Sequence, residues 1–252
     1  DYWAAILYRS GLEPPESGLA EFDWSLAPEL PDALCPYLGL DAFAEQHRPL
    51  FFGRERLIGE ALHSLAISRL LAVVGPSGSG KSSLVLAGLL PALKKGAAAG
   101  GAQWQVAPRL VPGSDPLANL ARALLAVQAH APAEPQPWAE QQAARLAVEP
   151  QHILELIDPQ GAPLLLVVDQ FEEAFTLCVD DAARNAFIAC LVSLCQTPGR
   201  SHTLILTMRT DFEHLVSRLP DFQPLFERHV FRVTPLNAAE LRASIEAPAE
   251  LI

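Results

Sequence analysis

The sequence predicts an α/β domain built on a parallel sheet of five strands, with helices covering both faces of the sheet. Short apolar runs alternate along the chain with longer segments in which apolar residues recur at helical spacing. The runs at 70–74 and 164–168 are apolar throughout, as expected for strands that are buried on both faces. Half of the 252 residues are apolar, so the chain can form a substantial core.

The elements are expected in the following order along the chain. Residues 1–34 contain several prolines and are expected to form an irregular N-terminal arm or linker. The Pro-rich stretch at 131–137 is expected to be an exposed loop. Strands are predicted at 70–74, 103–110, 164–168, 203–208 and 229–233. Helices are predicted over 57–65, 81–93, 115–129, in two stretches before 163, over 182–195, in short pieces within 212–226, and from 237 onward.

The first apolar run leads directly into an octapeptide that fits G-x-x-x-x-G-K-[ST], the phosphate-binding loop of P-loop NTPases. Glycines let the backbone curl around phosphate oxygens, and the helix that follows adds its unpaired N-terminal N–H groups. Lys81 is expected to reach the β- and γ-phosphates, and the Ser82 hydroxyl is expected to bind Mg²⁺. The loop therefore predicts a three-layer α/β/α P-loop NTPase that binds ATP or ADP. The predicted nucleotide-binding residues of the loop are Gly75, Pro76, Ser77, Gly78, Ser79, Gly80, Lys81, Ser82 and Ser83.

A carboxylate that holds Mg²⁺ is expected at the carboxyl end of a neighbouring strand, and Asp169 fits this Walker B role. The next position is Gln170, whose amide can hydrogen-bond a water but cannot accept its proton. If the chain turns after Asp169, Glu172 returns beneath the γ-phosphate, so Glu172 is favoured over Glu173 as the catalytic base. The alternative is that these glutamates are solvated carboxylates at the start of a helix.

The fourth apolar run ends in Arg209, which is expected to lie beside the γ-phosphate and to register its presence. Arginine suits this role because its planar guanidinium binds phosphate oxygens and keeps its charge. The alternative is an ion pair between Arg209 and the nearby Asp211 or Glu213.

Composition and missing motifs exclude several other classes. The net charge of −11 and the lack of a Lys/Arg run argue against a nucleic-acid partner. No apolar stretch approaches the length of a membrane span, and no signal peptide is visible. A GTPase and a transport ATPase are disfavoured because the N-K-x-D and L-S-G-G-Q motifs are missing. Without metal-ligand spacing, the cysteines are expected to be reduced thiols of a cytoplasmic protein; they are Cys35, Cys178, Cys190 and Cys195.

Together these segments resemble the bacterial novel STAND NTPase domain, of the STAND class of signal-transduction ATPases, over about residues 35–250. The displaced acidic pair is also similar to the NACHT pattern. The resemblance implies a water-orienting role for Glu172 and Glu173, a sensor role for Arg209, and an adenine pocket lined by the loop at 52–55. It rests on Cys35-Pro36-Tyr37-Leu38-Gly39-Leu40, Phe51-Phe52-Gly53-Arg54-Glu55, the phosphate loop, Asp169-Gln170-Phe171-Glu172-Glu173 and Arg209-Thr210-Asp211-Phe212.

The resemblance also implies a domain division and a function. Residues 35–236 are expected to form the NTPase domain and 237–252 the start of a truncated helical lid, with effector and sensor domains elsewhere on a longer chain. The expected function is an ATP-binding, slowly hydrolysing switch in signalling or defence that self-associates when active. Two alternatives remain open: a non-hydrolysing scaffold that holds ADP, and an AAA+-like ATPase that handles nucleic acid.

Overall fold

The computed structural model describes residues 35–96, 104–128, 132–157, 162–197 and 202–251. Five parallel strands form one sheet in the order β2-β3-β4-β1-β5. The five-stranded parallel sheet predicted from the sequence is thus confirmed, whereas the predicted N-terminal arm lies outside the described residues. The strands are β1 (Leu70–Gly75), β2 (Gln105–Val106), β3 (Leu164–Val168), β4 (Thr203–Arg209) and β5 (Val230–Arg232).

Helices follow the strands and connect them across the sheet. A π-helical segment at Leu84–Leu89 joins the α-helix at Lys81–Ser83 to the one at Leu90–Lys94, so the segment after the phosphate loop is helical without a break. The α-helices are α1 (Glu55–Ile67), α2 (Lys81–Ser83), α3 (Leu90–Lys94), α4 (Pro116–Leu125), α5 (Pro135–Val148), α6 (Glu173–Thr176), α7 (Asp181–Gln196), α8 (Gln223–Arg228) and α9 (Ala238–Ala249), and 3-10 segments span Glu45–Leu50, Pro150–Leu154 and Thr210–Arg218.

The sheet lies between two apolar cores. In β1, Leu70, Ala72 and Val74 face the core formed with α4, α5 and α7. Leu71 and Val73 face the opposite core, formed with α1, α3 and the π-helical segment. Because both faces of the sheet are buried, the residues that point to either face are apolar. This explains the uninterrupted apolar runs in the sequence.

Two element boundaries differ from the sequence-based prediction. The second strand is confined to Gln105–Val106 and resumes only as a bridge between Leu110 and Val168, because an extra residue between Ala107 and Leu110 interrupts the ladder with β3. Helix α5 begins at Pro135, inside the stretch predicted as loop, since proline at the first helical position needs no hydrogen-bond partner.

The strand order differs in one respect from the expectation that the strand before Asp169 is a neighbour of the strand that carries the phosphate loop. The strand before Asp169, β3, does not pair with the phosphate-loop strand β1, because β4 lies between them and pairs with both. All strands are parallel, so their carboxyl ends meet at one edge of the sheet. The phosphate loop, Asp169 and Arg209 therefore still converge on this edge.

Candidate nucleotide-binding site

A polar cleft of about 810 Å³ lies at the carboxyl edge of the sheet, between the phosphate loop and the segments that follow β3 and β4. The cleft contains most of the side chains that the sequence singled out. Asp169 itself is fully buried beneath it. The predicted residues that line the cleft are Ser77, Gly78, Gly80, Lys81, Ser82, Ser83, Glu172, Glu173 and Arg209.

The phosphate loop requires glycine at specific positions. Gly78 and Gly80 have φ values of 72° and 84°, in the left-handed region that L side chains rarely adopt. At Gly75 a Cβ would lie 2.7 Å from the Ser79 hydroxyl, so the strand can meet the loop only without a side chain. The resulting loop curls back on itself, and the backbone carbonyl of Pro76 accepts a hydrogen bond from the Lys81 ammonium.

Lys81 is a buried cation with one hydrogen-bond acceptor among the described residues. Its side chain is 9% exposed, and Nζ donates to the Pro76 carbonyl at 2.8 Å. Burial lowers the pKa of Lys81, while the negative charges of Glu172 and Asp169 act in the opposite direction. The positive charge is therefore held at the floor of the cleft and is poorly compensated, which favours an anionic ligand.

Asp169 connects the phosphate loop to β4. Its Oδ1 accepts hydrogen bonds from the Ser82 hydroxyl at 2.7 Å and from the Thr207 hydroxyl at 2.5 Å. Its Oδ2 lies 2.5 Å from Nη2 of Arg109, an ion-pair distance, but no donor among the described residues is aligned for a hydrogen bond to this oxygen. The sequence identified Ser82 and Asp169, and it missed both Thr207 and Arg109 because neither belongs to a local motif.

The chain turns sharply after Asp169, as the prediction for Glu172 required. Gln170 has a φ of 56°, and its N–H donates to the Thr207 hydroxyl at 2.9 Å. This turn returns Glu172 to the cleft, where its Oε2 accepts a hydrogen bond from the Arg209 N–H at 3.3 Å. Glu172 is only 8% exposed, and burial raises the pKa of its carboxyl group. Glu173 begins α6 and also lines the cleft.

Arg209 lines the cleft, but its guanidinium forms an ion pair with Asp211. It binds Asp211 through two hydrogen bonds, of 3.1 and 2.6 Å, and lies 5.1 Å from the Phe212 ring centre. This contact raises the pKa of Arg209 and lowers that of Asp211. Of the two ion-pair alternatives the sequence left open, the structure shows the pair with Asp211, while Glu213 binds Arg232 instead.

An apolar cavity of about 850 Å³ adjoins the polar cleft. The two spaces adjoin at the phosphate loop, where five residues line both; they are Gly39, Phe43, Gly78, Gly80 and Ser83. The cavity draws its other walls from the two ends of the described chain: Tyr37, Leu38 and Phe52 on one side, Leu236 and Ile245 on the other. The Tyr37 hydroxyl donates to the Ile245 carbonyl at 2.5 Å and closes one side.

The predicted adenine-pocket residues have different positions in this cavity. Phe52 and Arg54 line it, and the Arg54 guanidinium donates to the carbonyls of Thr234 and Ser79 at 2.8 and 3.2 Å. Burial lowers the pKa of Arg54. Gly53 is not among the lining residues; instead a Cβ at this position would lie 2.3 Å from the Glu240 carbonyl oxygen. Gly53 thus lets α9 pack directly against the backbone before α1.

The packing of α9 on Gly53 predicts a specific loss of stability. Gly53 has a φ of 80°, and Gly39 has a φ of 63° with open space where a Cβ would lie. We expect Gly39→Ala to cost about 1 kcal/mol through backbone strain alone. Gly53→Ala is expected to cost about 2–4 kcal/mol because the methyl group also displaces Glu240. Urea denaturation measures both, and equal losses would show that α9 does not pack here in solution.

Other kinds of site are not apparent in the described part of the chain. Within these residues, no group of three or more His, Cys, Asp or Glu side chains could hold a metal ion. All four cysteines are free thiols, and burial raises the pKa of Cys190 and Cys195 to about 12. None of the described helices has the length and apolar character needed to cross a bilayer.

A glycine-rich phosphate loop between a buried strand and a helix, at the carboxyl edge of a parallel α/β sheet, defines a P-loop NTPase. Within that class the chain belongs to the novel STAND NTPase 1 family, whose family model matches residues 36–252. This membership makes it a nucleoside-triphosphate-binding regulatory domain and confirms the resemblance seen in the sequence.

The chain is similar to the Aeropyrum pernix ORC2 protein, whose structure was solved as ADPNP–ADP complexes, with 18% identity and a TM-score of 0.47. The match covers 78% of this chain and 51% of that one, so the chain spans about half the length of the solved structure. No protein of curated function matches the chain.

Proposed function

We propose that this domain binds ATP with Mg²⁺ and acts as a switch, with slow hydrolysis to ADP returning it to the resting state. One observation carries the proposal: the phosphate loop, Glu172 and Arg209 line a polar cleft that adjoins an apolar cavity. A nucleoside triphosphate has the matching division into a polyanionic tail and a flat, largely apolar base.

The residues present fit such a ligand. Lys81 is a buried cation whose hydrogen-bond partner is a backbone carbonyl, and Asp169 Oδ2 has no aligned donor among the described residues. Carboxylate and hydroxyl oxygens are ligands that Mg²⁺ prefers. Lys81 would hold the β- and γ-phosphates, while Ser82 and Asp169 would hold the metal ion. Bound Mg²⁺ supplies neutralisation of the phosphate charge in the transition state.

Glu172 is the proposed acceptor of the proton from the attacking water. Three features support Glu172 over Glu173: it is nearly buried, its charge interacts with that of Lys81, and the Arg209 N–H holds it in place. A general base must lie close to the proton that it abstracts, and the turn at Gln170 brings Glu172 into the lining of the cleft.

Arg209 is the proposed sensor of the γ-phosphate. Its guanidinium lines the same cleft as Lys81 but is bound to Asp211 in this structure. Contact with the γ-phosphate requires Arg209 to exchange the Asp211 carboxylate for phosphate oxygens. ATP can shift the conformation only through such a contact, one that ADP does not make.

The raised pKa of Glu172 predicts the pH dependence of hydrolysis. Because burial raises this pKa, protonated Glu172 stabilises the fold in acid, and that contribution is lost as the pH rises through the folded-state pKa. The base must be unprotonated, so kcat/KM with excess Mg²⁺ is expected to rise with pH, with a midpoint above the ordinary range of a glutamate. The pH profile of kcat/KM for Glu173→Gln should keep this midpoint. A midpoint in the ordinary range of a glutamate, in both the wild type and Glu173→Gln, would contradict the assignment of Glu172 as the base.

We infer the wider setting of the switch from what its family membership suggests. We infer a nucleotide core at 35–236 and a helical lid that begins with α9 at about 237. Effector and sensor domains would lie elsewhere on the full-length protein, and the active state would be a self-associated form in cytoplasmic signalling or defence. These inferences rest on family membership and on the placement of α9 against the base cavity.

A scaffold that holds ADP without hydrolysis is the second candidate. The position after Asp169 is Gln170, which cannot accept a proton, and the Glu172 carboxylate is itself held by the Arg209 N–H. In that case the nucleotide would stabilise one conformation permanently, and control would come from partners alone.

Nucleotide analysis of the purified chain distinguishes these functions. The protein is denatured, the released nucleotide is identified, and phosphate release from added Mg²⁺–ATP is measured. Retained ADP with slow phosphate release supports the switch, whereas retained ADP without release supports the scaffold. Failure to bind either nucleotide contradicts both, and stimulation of release by duplex DNA would favour a nucleic-acid-handling ATPase.

A further inference from the structure

Arg109 is a charged residue of the cleft to which the proposed switch assigns no role. Its Nη2 lies 2.5 Å from Asp169 Oδ2, and this is the sole salt bridge that Asp169 makes within the described residues. The Arg109 side chain is 40% exposed, whereas Asp169 is completely buried. The Asp169 carboxylate is therefore enclosed by the protein, whereas the Arg109 side chain reaches it from the cleft.

The backbone places Arg109 at this position through a bulge. Ala107 N donates to the Leu165 carbonyl and Leu110 N to the Val167 carbonyl, so three residues on this segment match two on β3. The extra residue changes the direction in which a side chain leaves the edge of the sheet, an arrangement common beside active sites. Asp169 N in turn donates to the Leu110 carbonyl at 2.8 Å, which fixes the two backbones beside each other.

The segment after Arg109 is also anchored. The Asn119 amide donates to the carbonyls of Val111 and Pro112 at 3.3 and 2.9 Å, and the Asp115 side chain caps α4. With the backbone held on both sides, a change at this ion pair requires only rotation of the Arg109 side chain. Such a side chain moves between partners in nanoseconds when it is partly solvated.

The electrostatics explain why Asp169 needs this partner. Its Oδ1 is satisfied by two hydroxyl donors, but these are neutral and leave the carboxylate charge uncompensated. A buried charge is costly without a counter-charge; the charge of Lys81 interacts with that of Asp169, but the ammonium donates its hydrogen bond to the Pro76 carbonyl. Arg109 thus neutralises Asp169 at Oδ2, the oxygen that has no aligned hydrogen bond.

We propose that Arg109 is an exchangeable counter-ion of Asp169. Arg109 neutralises the buried carboxylate in the absence of Mg²⁺–nucleotide and releases Oδ2 when the metal ion binds. Arg109 and Mg²⁺ then compete for one carboxylate, so Arg109 raises the Mg²⁺ concentration that ATP binding requires. The proposal rests on the proposed function of Asp169 in holding Mg²⁺.

The test compares Arg109→Gln, which removes the charge, with Arg109→Lys, which keeps it. Binding of a fluorescent ATP analogue is titrated over a range of Mg²⁺ concentrations and, separately, in EDTA. For Arg109→Gln we expect the half-saturating Mg²⁺ concentration to fall about three- to tenfold, with unchanged affinity for the nucleotide at saturating Mg²⁺. Arg109→Lys should stay close to the wild-type value. Arg145→Gln is the matched control, since Arg145 is 50% exposed and pairs with Glu155 on the surface.

Thermal melting provides a second readout that does not depend on nucleotide. Without the counter-charge, Arg109→Gln should melt below the wild type, and MgCl₂ alone should raise its melting temperature more than that of the wild type. An equal response to MgCl₂ in the two proteins would contradict the proposal.

The remaining outcomes separate this proposal from the proposed function. An unchanged Mg²⁺ requirement in Arg109→Gln, with a normal requirement in the wild type, overturns only the role of Arg109. Weaker binding of Arg109→Gln at saturating Mg²⁺ also overturns it, because Arg109 would then contact the phosphates directly. A wild-type protein whose ATP binding ignores Mg²⁺ would instead overturn the assignment of Asp169 itself.

Discussion

Replacing Lys81 by Ala is expected to lower the affinity for ATP about 100-fold or more while leaving the unbound domain folded. Each charge-assisted hydrogen bond to a phosphate oxygen contributes about 1.5–3 kcal/mol, and Lys81 is expected to make more than one. In the unbound domain the change should be neutral or stabilising, because it removes a buried ammonium whose pKa is already lowered by burial.

Isothermal titration with Mg²⁺–ATP measures the affinity, and thermal melting with and without ATP measures the coupling to stability. The rise in melting temperature on adding ATP should vanish in Lys81→Ala. Lys94→Ala is the matched control, because Lys94 lies on the same helical segment but forms an exposed ion pair with Glu45. If both variants bind ATP like the wild type, the nucleotide does not occupy the phosphate loop.

Replacing Glu172 by Gln is expected to lower kcat by about 10²- to 10⁴-fold, the usual contribution of a general base. Nucleotide binding should persist, because glutamine has the same shape and can still accept the hydrogen bond from the Arg209 N–H. The unbound variant should also be at least as stable as the wild type at neutral pH, where the buried carboxylate is costly.

Single-turnover hydrolysis of ATP measures the chemical step, and Glu173→Gln is the matched control. Glu173 lines the same cleft one position further along, so the two variants differ only in which carboxylate is removed. A large loss in Glu173→Gln alone would transfer the role of base to Glu173. No loss in either variant would favour the scaffold that holds ADP.

The sequence predicted the parts of the site that are written in consecutive residues. The phosphate loop is a local motif, and Asp169 follows an uninterrupted apolar strand, so both could be recognised without tertiary contacts. The sequence allowed a role for Glu172 only if the chain turns after Asp169. The structure has this turn at Gln170, and the Thr207 hydroxyl stabilises the turn by accepting a hydrogen bond from the Gln170 N–H. The partners Thr207 and Arg109 were missed because sheet pairing alone brings them to Asp169.

For the fold, too, the sequence predicted what depends on consecutive residues and missed what depends on contacts between distant segments. Apolar runs predicted the strands β1, β3 and β4 closely, because burial on both faces leaves a strong signature. The second strand was overestimated because an extra residue between Ala107 and Leu110 interrupts its pairing with β3. The insertion of β4 between β1 and β3 has no local signature at all, since strand order depends on how the crossover helices pack.

The hydrogen bond between Tyr37 and Ile245 joins residues that are 208 positions apart, and this has a consequence for biosynthesis. The strand that carries the phosphate loop has β4 and β5 as its neighbours, and both are translated more than a hundred residues later. At about 5–20 residues per second, roughly 10–40 s separate translation of Arg54 from translation of Ile245. A nascent chain on the ribosome therefore lacks one wall of the apolar cavity until its synthesis has passed Ile245.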